Sequence, residues 1–153
     1  MIVRPATAAD LPAIEAIEYA VFDGDRLSRR SLRYFLASDT ALVLALALQD
    51  HVLGYSLVAF RKGSRGARLY SLALDPAEHG RGLGRFLLRS SENAARAHGA
   101  AFMRLEVRTD NAGAIALYEK NGYRFFGRIE DFYEDGADAL RFEKALPAGP
   151  DAD

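Results

Sequence analysis

The sequence contains no cysteine among its 153 residues. This absence excludes disulfide bonds, thiolate metal sites and a cysteine nucleophile, and it is compatible with a reducing compartment. The longest uninterrupted apolar run, ALVLALAL at 41–48, is far shorter than the roughly 20 residues that a membrane-spanning helix needs. The first residues, MIVRPATAADLP, lack the apolar core of a secretion signal. We therefore expect a cytoplasmic protein that does not bind a membrane.

An excess of charge of one sign is also lacking. The net charge is −1, so no overall field favours nucleic acid or an anionic membrane as a partner. The three histidines, His51, His79 and His98, lie far apart in the chain and predict no metal site. The remaining composition, 50% hydrophobic and 27% charged, is typical of a globular protein. We expect one domain over residues 1–146, followed by a flexible tail over 147–153.

Hydrophobic periodicity and capping residues predict the order of the elements. A helix follows Thr7, with Asp10 placed as in a capping box. A helix of roughly 84–98, with Phe86 and Leu87 available for packing, ends at the stop signal HG. The other predicted elements are a strand at 2–4, a short helix after Ser28, strands at 41–48, 52–60, 67–74 and 102–107, a helix from Asn111 to Gly122, and final strands in YRFFGRI and DALRFEKAL.

This order predicts an α/β fold with a mixed, mostly antiparallel central sheet and helices on both faces. Short turn-like pieces between the strands at 41–48, 52–60 and 67–74 favour an antiparallel meander. The helix at 84–98 would then connect two parallel strands, and the chain would end in a hairpin.

The segment HGRGLGR at 79–85 places three glycines between a strand and a helix. A helix N-terminus offers unpaired N–H groups, and glycine allows the close backbone approach that a phosphate requires. The segment lacks the Gly-Lys-Ser/Thr ending of a Walker loop and the spacing of a dinucleotide fingerprint. From its own spacing, a flexible turn and a phosphate site remain equally good interpretations.

The surrounding motifs resemble the GNAT superfamily of acetyl-CoA-dependent N-acetyltransferases. Asp75-Pro76, HGRGLGRFLL, LEVRTDNAGAIALYEKNGY and DALRFEKAL occur in the order found in that superfamily. LEVR-x-x-N followed by AIALYE most resembles the bacterial ribosomal-protein N-terminal alanine acetyltransferases. The resemblance covers about residues 2–146, and His79 departs from the Gln or Arg that opens the family's phosphate motif.

The resemblance implies where the cofactor lies. The glycine segment would hold the pyrophosphate of coenzyme A, and the end of the preceding strand would contact the pantetheine arm through its backbone. Asn111 would also touch this arm, and Tyr118 would meet the cofactor sulfur. The implied cofactor-binding residues are Leu72, Ala73, Leu74, His79, Gly80, Arg81, Gly82, Leu83, Gly84, Arg85, Asn111 and Tyr118.

The resemblance also implies a base and an acid. Glu106 would accept the proton of the attacking amine, and Tyr118 would protonate the departing thiolate. Glu106 shares a strand face with Arg104 and Arg108, so an ion pair with one of them is the alternative interpretation. Tyr118 could instead be a packed aromatic side chain, and Asn111 a plain helix cap.

We therefore expect an N-acetyltransferase that moves an acetyl group directly from acetyl-CoA to an amine, without a metal. The expected acceptor is a peptide or protein N-terminal α-amine, and Tyr133 is a candidate for lining its slot. A small-molecule amine or amino acid is the alternative acceptor, and a non-catalytic acyl-CoA-binding module is the alternative of another class. Carboxylates near Asp25 and Glu134 and arginines near Arg29 favour acceptors of opposite charge, or simply pair on the surface. Both a monomer and a homodimer fit the sequence.

Overall fold

The computed structural model describes residues 1–148. Residues 149–153 of the predicted tail lie outside the described residues. The strands are β1 Ile2–Pro5, β2 Ala41–Leu48, β3 His51–Phe60, β4 Gly66–Leu74, β5 Phe102–Arg108, β6 Arg124–Ile129 and β7 Ala139–Ala145. The α-helices are α1 Leu11–Val21, α2 Arg29–Ala37, α3 Leu83–Ala97 and α4 Ala112–Lys120, and short 3-10 helices span Ala8–Asp10 and Pro76–Glu78.

The strands form one sheet in the order β1-β2-β3-β4-β5-β7-β6. Strands β4 and β5 pair in parallel through the crossover helix α3, and the other neighbouring pairs are antiparallel. The predicted mixed sheet, its meander and its terminal hairpin are therefore confirmed. Within residues 1–148, no helix has the length and apolarity needed to cross a membrane.

Helices α1 and α2 cover β2, β3 and β4 on one face of the sheet. Ile14, Ile17 and Leu32 pack against Tyr55 and Leu57. Glu18 of α1 is buried in this layer, where its carboxylate accepts hydrogen bonds from the hydroxyl of Tyr55 and, at 2.7 Å, from the backbone N–H of Leu27. This carboxylate joins the α1–α2 loop to the sheet and raises the pKa of Tyr55, after the larger effect of burial.

Helices α3 and α4 cover the opposite face. Leu88 and Ala95 of α3 and Tyr118 of α4 pack on the buried side of β5. Glu92 is fully buried there, and it accepts hydrogen bonds of 2.9 Å from the Tyr123 hydroxyl and from Lys144 Nζ of β7. Such a buried charge is tolerated because it is both paired and hydrogen-bonded.

The packing face of α3 differs in one respect from the prediction. Phe86 is 41% exposed, whereas Leu83, Leu87 and Leu88 are buried. Leu83 and Leu87 lie one turn apart and meet Leu46, so the adjacent position 86 faces away from the sheet.

A bidentate ion pair fixes the start of α1. Arg4 Nη1 and Nη2 donate to the two carboxylate oxygens of Asp10 at 2.7 and 2.9 Å. The backbone N–H of Thr7 also donates to Asp10, at 2.8 Å, which completes the predicted capping box. These contacts hold the pKa of Asp10 below its ordinary value, with the Arg4 hydrogen bonds as the largest cause.

Candidate active site

The sheet opens between β4 and β5. Their parallel pairing covers Gly66 to Arg68 on β4 and ends at the pair Arg68–Arg104. Strand β4 then continues to Leu74 with only β3 as its partner. At Tyr70 the register between β3 and β4 shifts, which marks a β-bulge on β4. Because β4 has no partner strand on its β5 side after Arg68, its backbone can pair there with an extended ligand.

The residues predicted for the pantetheine arm lie on this part of β4. Leu72, Ala73 and Leu74 all have side chains packed in hydrophobic clusters. Ala73 is buried and Leu72 and Leu74 are half-buried, so an extended ligand at the open edge of β4 would pair with the backbone of this stretch.

The glycine segment follows β4 directly. Gly80 and Gly82 have φ angles of +81° and +75°, the left-handed region that side chains disfavour. Gly82 is the N-cap of α3, and no side chain caps this helix end. Its first N–H groups are therefore available to an anion, and the helix dipole favours negative charge there. This geometry supports the phosphate-site interpretation over the flexible turn.

The side chains of the segment are less available than its backbone. Arg81 Nη1 lies 2.5 Å from Glu78 Oε1, and the Nε2 atom of His79 lies 3.3 Å from the carbonyl oxygen of Leu74. Arg85 Nε donates to Asn121 at 3.3 Å, and Leu83 is buried beside Leu87. Gly84 has an ordinary φ, and a methyl group there would make only van der Waals contact with Leu117. The charges expected from Arg81 and Arg85 are thus partly engaged within the chain.

Glu106 lies on the part of β5 that has separated from β4. Its side chain is 9% exposed, and its Oε2 accepts a hydrogen bond of 3.3 Å from Arg141 Nε, the residue opposite it on β7. Its Oε1 forms an ion pair with Arg68, whose Nη2 lies 2.7 Å away at angles that are not those of a hydrogen bond. Oε1 is buried and has no hydrogen-bond partner among residues 1–148. A carboxylate oxygen in this state has a lone pair available for an incoming N–H.

The ion-pair alternative proposed from the sequence named the wrong partners. Arg104 pairs with Glu143 at 2.7 Å, and Arg108 pairs with Asp110 and Asp135 at 3.1 and 2.7 Å. Spacing along β5 places these arginines on the same face as Glu106, but the cross-strand neighbours on β4 and β7 are closer to it.

Tyr118 lies on helix α4, in the layer that packs on the buried side of β5. Its side chain is 7% exposed, and burial raises the pKa of its hydroxyl, with the neighbouring Tyr133 as a smaller cause. The hydroxyl makes no hydrogen bond to residues 1–148 and is therefore free to donate one. Its ring packs edge-on against Tyr123 at 5.7 Å, so the packing role holds alongside any catalytic one.

Tyr133, in the β6–β7 loop, lies near both candidate catalytic residues. Burial and the Glu106 carboxylate raise its pKa to about 12. The Arg108 guanidinium lies 5.1 Å from the centre of its ring. Asn111 accepts a hydrogen bond of 3.1 Å from the Ala114 N–H, so its oxygen serves as the helix cap. Its amide N–H groups stay available.

Two loops meet across the mouth of the cleft. The backbone N–H of Glu134 lies 3.2 Å from Asp25 Oδ1, and this contact joins the β6–β7 loop to the α1–α2 loop. Arg26 instead stacks on Tyr19, and Arg29 pairs with Glu15 at 2.6 Å. Both arginines therefore contact α1, and Arg29 makes the kind of surface ion pair that the sequence suggested.

Sequence reasoning missed two residues beside Glu106, and Tyr70 next to one of them. The two are Arg141, which the β5–β7 register places opposite Glu106, and Arg68, which lies where β4 leaves β5. The Arg68 guanidinium lies 4.8 Å from the centre of the Tyr70 ring. In the sequence, Arg68 and Tyr70 alternate with the apolar residues Ala67 and Leu69, and this alternation alone could have indicated that both side chains point away from the core.

Other features offer no better site. A cavity of about 340 Å³, lined by Phe60, Gly66 and His98, lies at the opposite end of β4 from the glycine segment and contains no candidate catalytic residue. Among residues 1–148, no group of three or more His, Asp or Glu side chains could hold a metal ion.

Comparison with known proteins identifies the family of the chain. The model of the acetyltransferase (GNAT) family matches residues 10–123. An N-acetyltransferase of uncharacterised role from Methanocaldococcus jannaschii is 30% identical over 148 residues, covering 96% of this chain and 93% of that protein. The chain belongs to the GNAT acetyltransferase family, the enzyme class predicted from its motifs.

Two further relatives carry more specific names. The N-alpha-acetyltransferase RimI of Mycobacterium tuberculosis is 44% identical over 77 residues, which is 50% of this chain and 47% of that protein. The crystal structure of the Escherichia coli ribosomal-protein-S18-alanine N-acetyltransferase is 26% identical with a TM-score of 0.84, and the match covers 99% of this chain and 97% of that one. The chain spans less than half of the length of some relatives that it matches.

Proposed function

We propose that this protein transfers the acetyl group of acetyl-CoA directly to the α-amine of a peptide or protein N-terminus. The observation that carries the proposal is Glu106 Oε1 at the split of the sheet, a buried carboxylate oxygen that is ion-paired with Arg68 but accepts no hydrogen bond within residues 1–148. An amine N–H is the group that this oxygen is placed to accept. The N-terminal specificity is supported by the names of the Mycobacterium tuberculosis and Escherichia coli relatives.

The residues around the split fit coenzyme A. Gly80 and Gly82, with the uncapped N-terminus of α3, would hold its pyrophosphate. The free edge of β4 at 72–74 would pair with the pantetheine arm, and the Asn111 amide would contact the same arm. When bound, acetyl-CoA supplies the acetyl group as a thioester, which is activated for attack by an amine.

Glu106 and Tyr118 divide the handling of protons. Glu106 would accept the ammonium proton, directly or through water, which leaves the amine neutral and nucleophilic. Tyr118 would donate its hydroxyl proton to the leaving sulfur, and because burial raises its pKa the phenol still carries that proton at neutral and mildly alkaline pH. Tyr133 would line the acceptor slot between them. No covalent enzyme nucleophile takes part.

The proposed location is the cytoplasm, because a chain without cysteine suits a reducing compartment.

A screen of acceptors tests this function. Peptides with free N-termini, Nα-blocked lysine peptides, free amino acids and simple amines are incubated with acetyl-CoA, and release of free coenzyme A is measured. We expect the highest kcat/KM with peptide α-amines and strongly reduced release with Glu106→Gln. A preference for a small amine or a free amino acid would replace the proposed acceptor, and release with none of them would contradict the activity.

A further inference from the structure

Arg68 holds a guanidinium group with unused donors at the proposed reaction centre. Its side chain is 46% exposed, and Nη2 lies 2.7 Å from Glu106 Oε1 without forming a hydrogen bond. None of its N–H groups donates a hydrogen bond within residues 1–148, although a guanidinium carries five. Its position is held by the Tyr70 ring, 4.8 Å away.

Charge neutralisation of Glu106 does not by itself account for this arrangement. Arg141 already donates to Oε2 of the same carboxylate, at 3.3 Å. Arg68 is also the last residue of β4 that pairs with β5, so its side chain stands where the cleft begins. The buried carboxylate oxygen and the half-exposed guanidinium are therefore ion-paired side by side, and the guanidinium keeps N–H groups without a hydrogen bond toward the cleft.

We propose that Arg68 binds the carbonyl-group oxygen next to the reacting amine. The inference rests on the proposed function and names the part of the acceptor that the site recognises. In an aminoacyl group, the amine and this oxygen are carried by neighbouring carbon atoms, which matches the adjacency of Glu106 Oε1 and Arg68 Nη2. The oxygen belongs to the first peptide bond of a peptide, or to the carboxylate of a free amino acid.

This contact makes the site selective for α-amines. A lysine ε-amine has only methylene groups beside it and leaves the Arg68 donors without a partner. A site built to hydrogen-bond a substrate group discriminates strongly against analogues that lack the group, because its own polar atoms are then left unpaired.

Arg68→Gln and Arg68→Lys test the contact, with Arg104→Gln as the matched control. Arg104 lies on the same face, pairs with Glu143 and is not in contact with Glu106. The acceptors are the amide of tetra-alanine, the same peptide with its first carbonyl oxygen replaced by sulfur, an Nα-blocked lysine peptide, and free alanine. For tetra-alanine amide we expect kcat/KM to fall about 10- to 100-fold with either Arg68 variant, the range of a charge-assisted hydrogen bond, and to change less than about twofold with Arg104→Gln.

The sulfur-substituted peptide isolates the oxygen contact. We expect the substitution to lower kcat/KM about fivefold in the wild-type protein and to have no effect in Arg68→Gln. If kcat/KM is higher for free alanine than for the peptide, and falls as much in Arg68→Gln, then the oxygen that Arg68 binds belongs to a carboxylate. Acetyl-CoA affinity, measured by calorimetry, shows that each variant is folded.

Two results would overturn the role of Arg68. One is an equal sulfur effect in wild type and Arg68→Gln, and the other is an equal loss for the α-amine and ε-amine peptides. Either would mean that Arg68 acts only through the charge of Glu106. Failure of the proposed function is seen separately, as an absence of coenzyme A release by the wild-type protein with every amine, and it would remove this inference as well.

Discussion

Glu106 and Tyr118 lie on opposite faces of the sheet. Tyr118 belongs to the layer of α3 and α4, whereas Glu106 points to the other face, beside Arg68 and Arg141. Strands β4 and β5 separate after Arg68. In the proposed mechanism both side chains reach one substrate at this opening, with the base and the acid on either side of the reacting group.

Glu106→Gln tests the base. The substitution keeps the shape of the side chain and its contact with Arg141 but removes the proton acceptor. We expect kcat to fall by about two to four orders of magnitude, the usual contribution of a general base, while acetyl-CoA affinity is retained. Steady-state kinetics and calorimetry measure the two quantities. Glu143→Gln, on the same face and paired with Arg104, is the control, and an equal loss in both variants would remove Glu106 from this role.

Tyr118 predicts the alkaline side of the pH–rate profile. Burial raises its pKa above the ordinary value near 10, so the phenol keeps its proton as the pH rises. We expect kcat/KM not to fall between about pH 8 and pH 10 in the wild-type protein, and kcat to be much lower in Tyr118→Phe. A fall in this range that disappears in Tyr118→Phe would show that the hydroxyl ionises normally.

At the scale of elements, the positions of single residues were easier to predict than the pairing between strands. Gly99, Asn111 and Gly122 lie at the helix ends that their capping chemistry predicted. The partners of Glu106 were not predictable, because they depend on which residue of β7 lies opposite it and on where β4 leaves β5. Register between strands distant in sequence is a property of the assembled sheet.

Gly82→Ala tests the glycine segment as an anion site. Alanine at a φ of +75° is strained by about 1–2 kcal/mol, which distorts the turn before α3. We expect acetyl-CoA affinity, measured by calorimetry, to weaken about tenfold. Gly113→Ala is the control, because Gly113 has an ordinary φ and open space around it. Unchanged affinity in Gly82→Ala would show that the segment does not hold the cofactor.

Asp10→Asn tests the ion pair at the start of α1. Its lowered folded-state pKa means that Asp10 stabilises the fold above its ordinary pKa and loses this effect as the pH falls through the lowered value. We expect the free energy of unfolding to fall by about 1–3 kcal/mol at neutral pH, with the difference shrinking below about pH 4. Urea unfolding at neutral pH and below pH 4 measures this difference. An equal loss of unfolding free energy at the two pH values would assign the effect to packing. Glu15→Gln is the control: Glu15 forms an exposed pair with Arg29, and its substitution should change the unfolding free energy little.

At the scale of the molecule, the order of elements predicted the layers and the sheet. Periodicity and turns located the meander, the crossover through α3 and the final hairpin, because these depend on local sequence. The buried carboxylates Glu18 and Glu92 were not predicted. From sequence alone, a charged side chain in an amphipathic helix is predicted to be exposed. Glu18 and Glu92 are buried because the tertiary fold supplies hydrogen-bond partners, among them Tyr55 and Tyr123.

Ligand-induced stabilisation tests the cofactor on the whole fold. A ligand that binds the folded protein at a hundred times its Kd adds about 2.7 kcal/mol to the free energy of unfolding. We expect the thermal midpoint to rise by roughly 5–10 °C with acetyl-CoA at this excess and to stay unchanged with ATP. A rise with ATP but not with acetyl-CoA would assign the glycine segment to a nucleotide triphosphate.

The central claim, direct transfer from acetyl-CoA to an α-amine, is tested most directly by following a labelled acetyl group with mass spectrometry. The protein is incubated first with isotopically labelled acetyl-CoA alone and then with tetra-alanine amide. We predict that the mass of the protein stays unchanged in the first step and that the label appears on the peptide N-terminus in the second. Label on the protein that later moves to the peptide, or a peptide that stays unlabelled, would contradict the account.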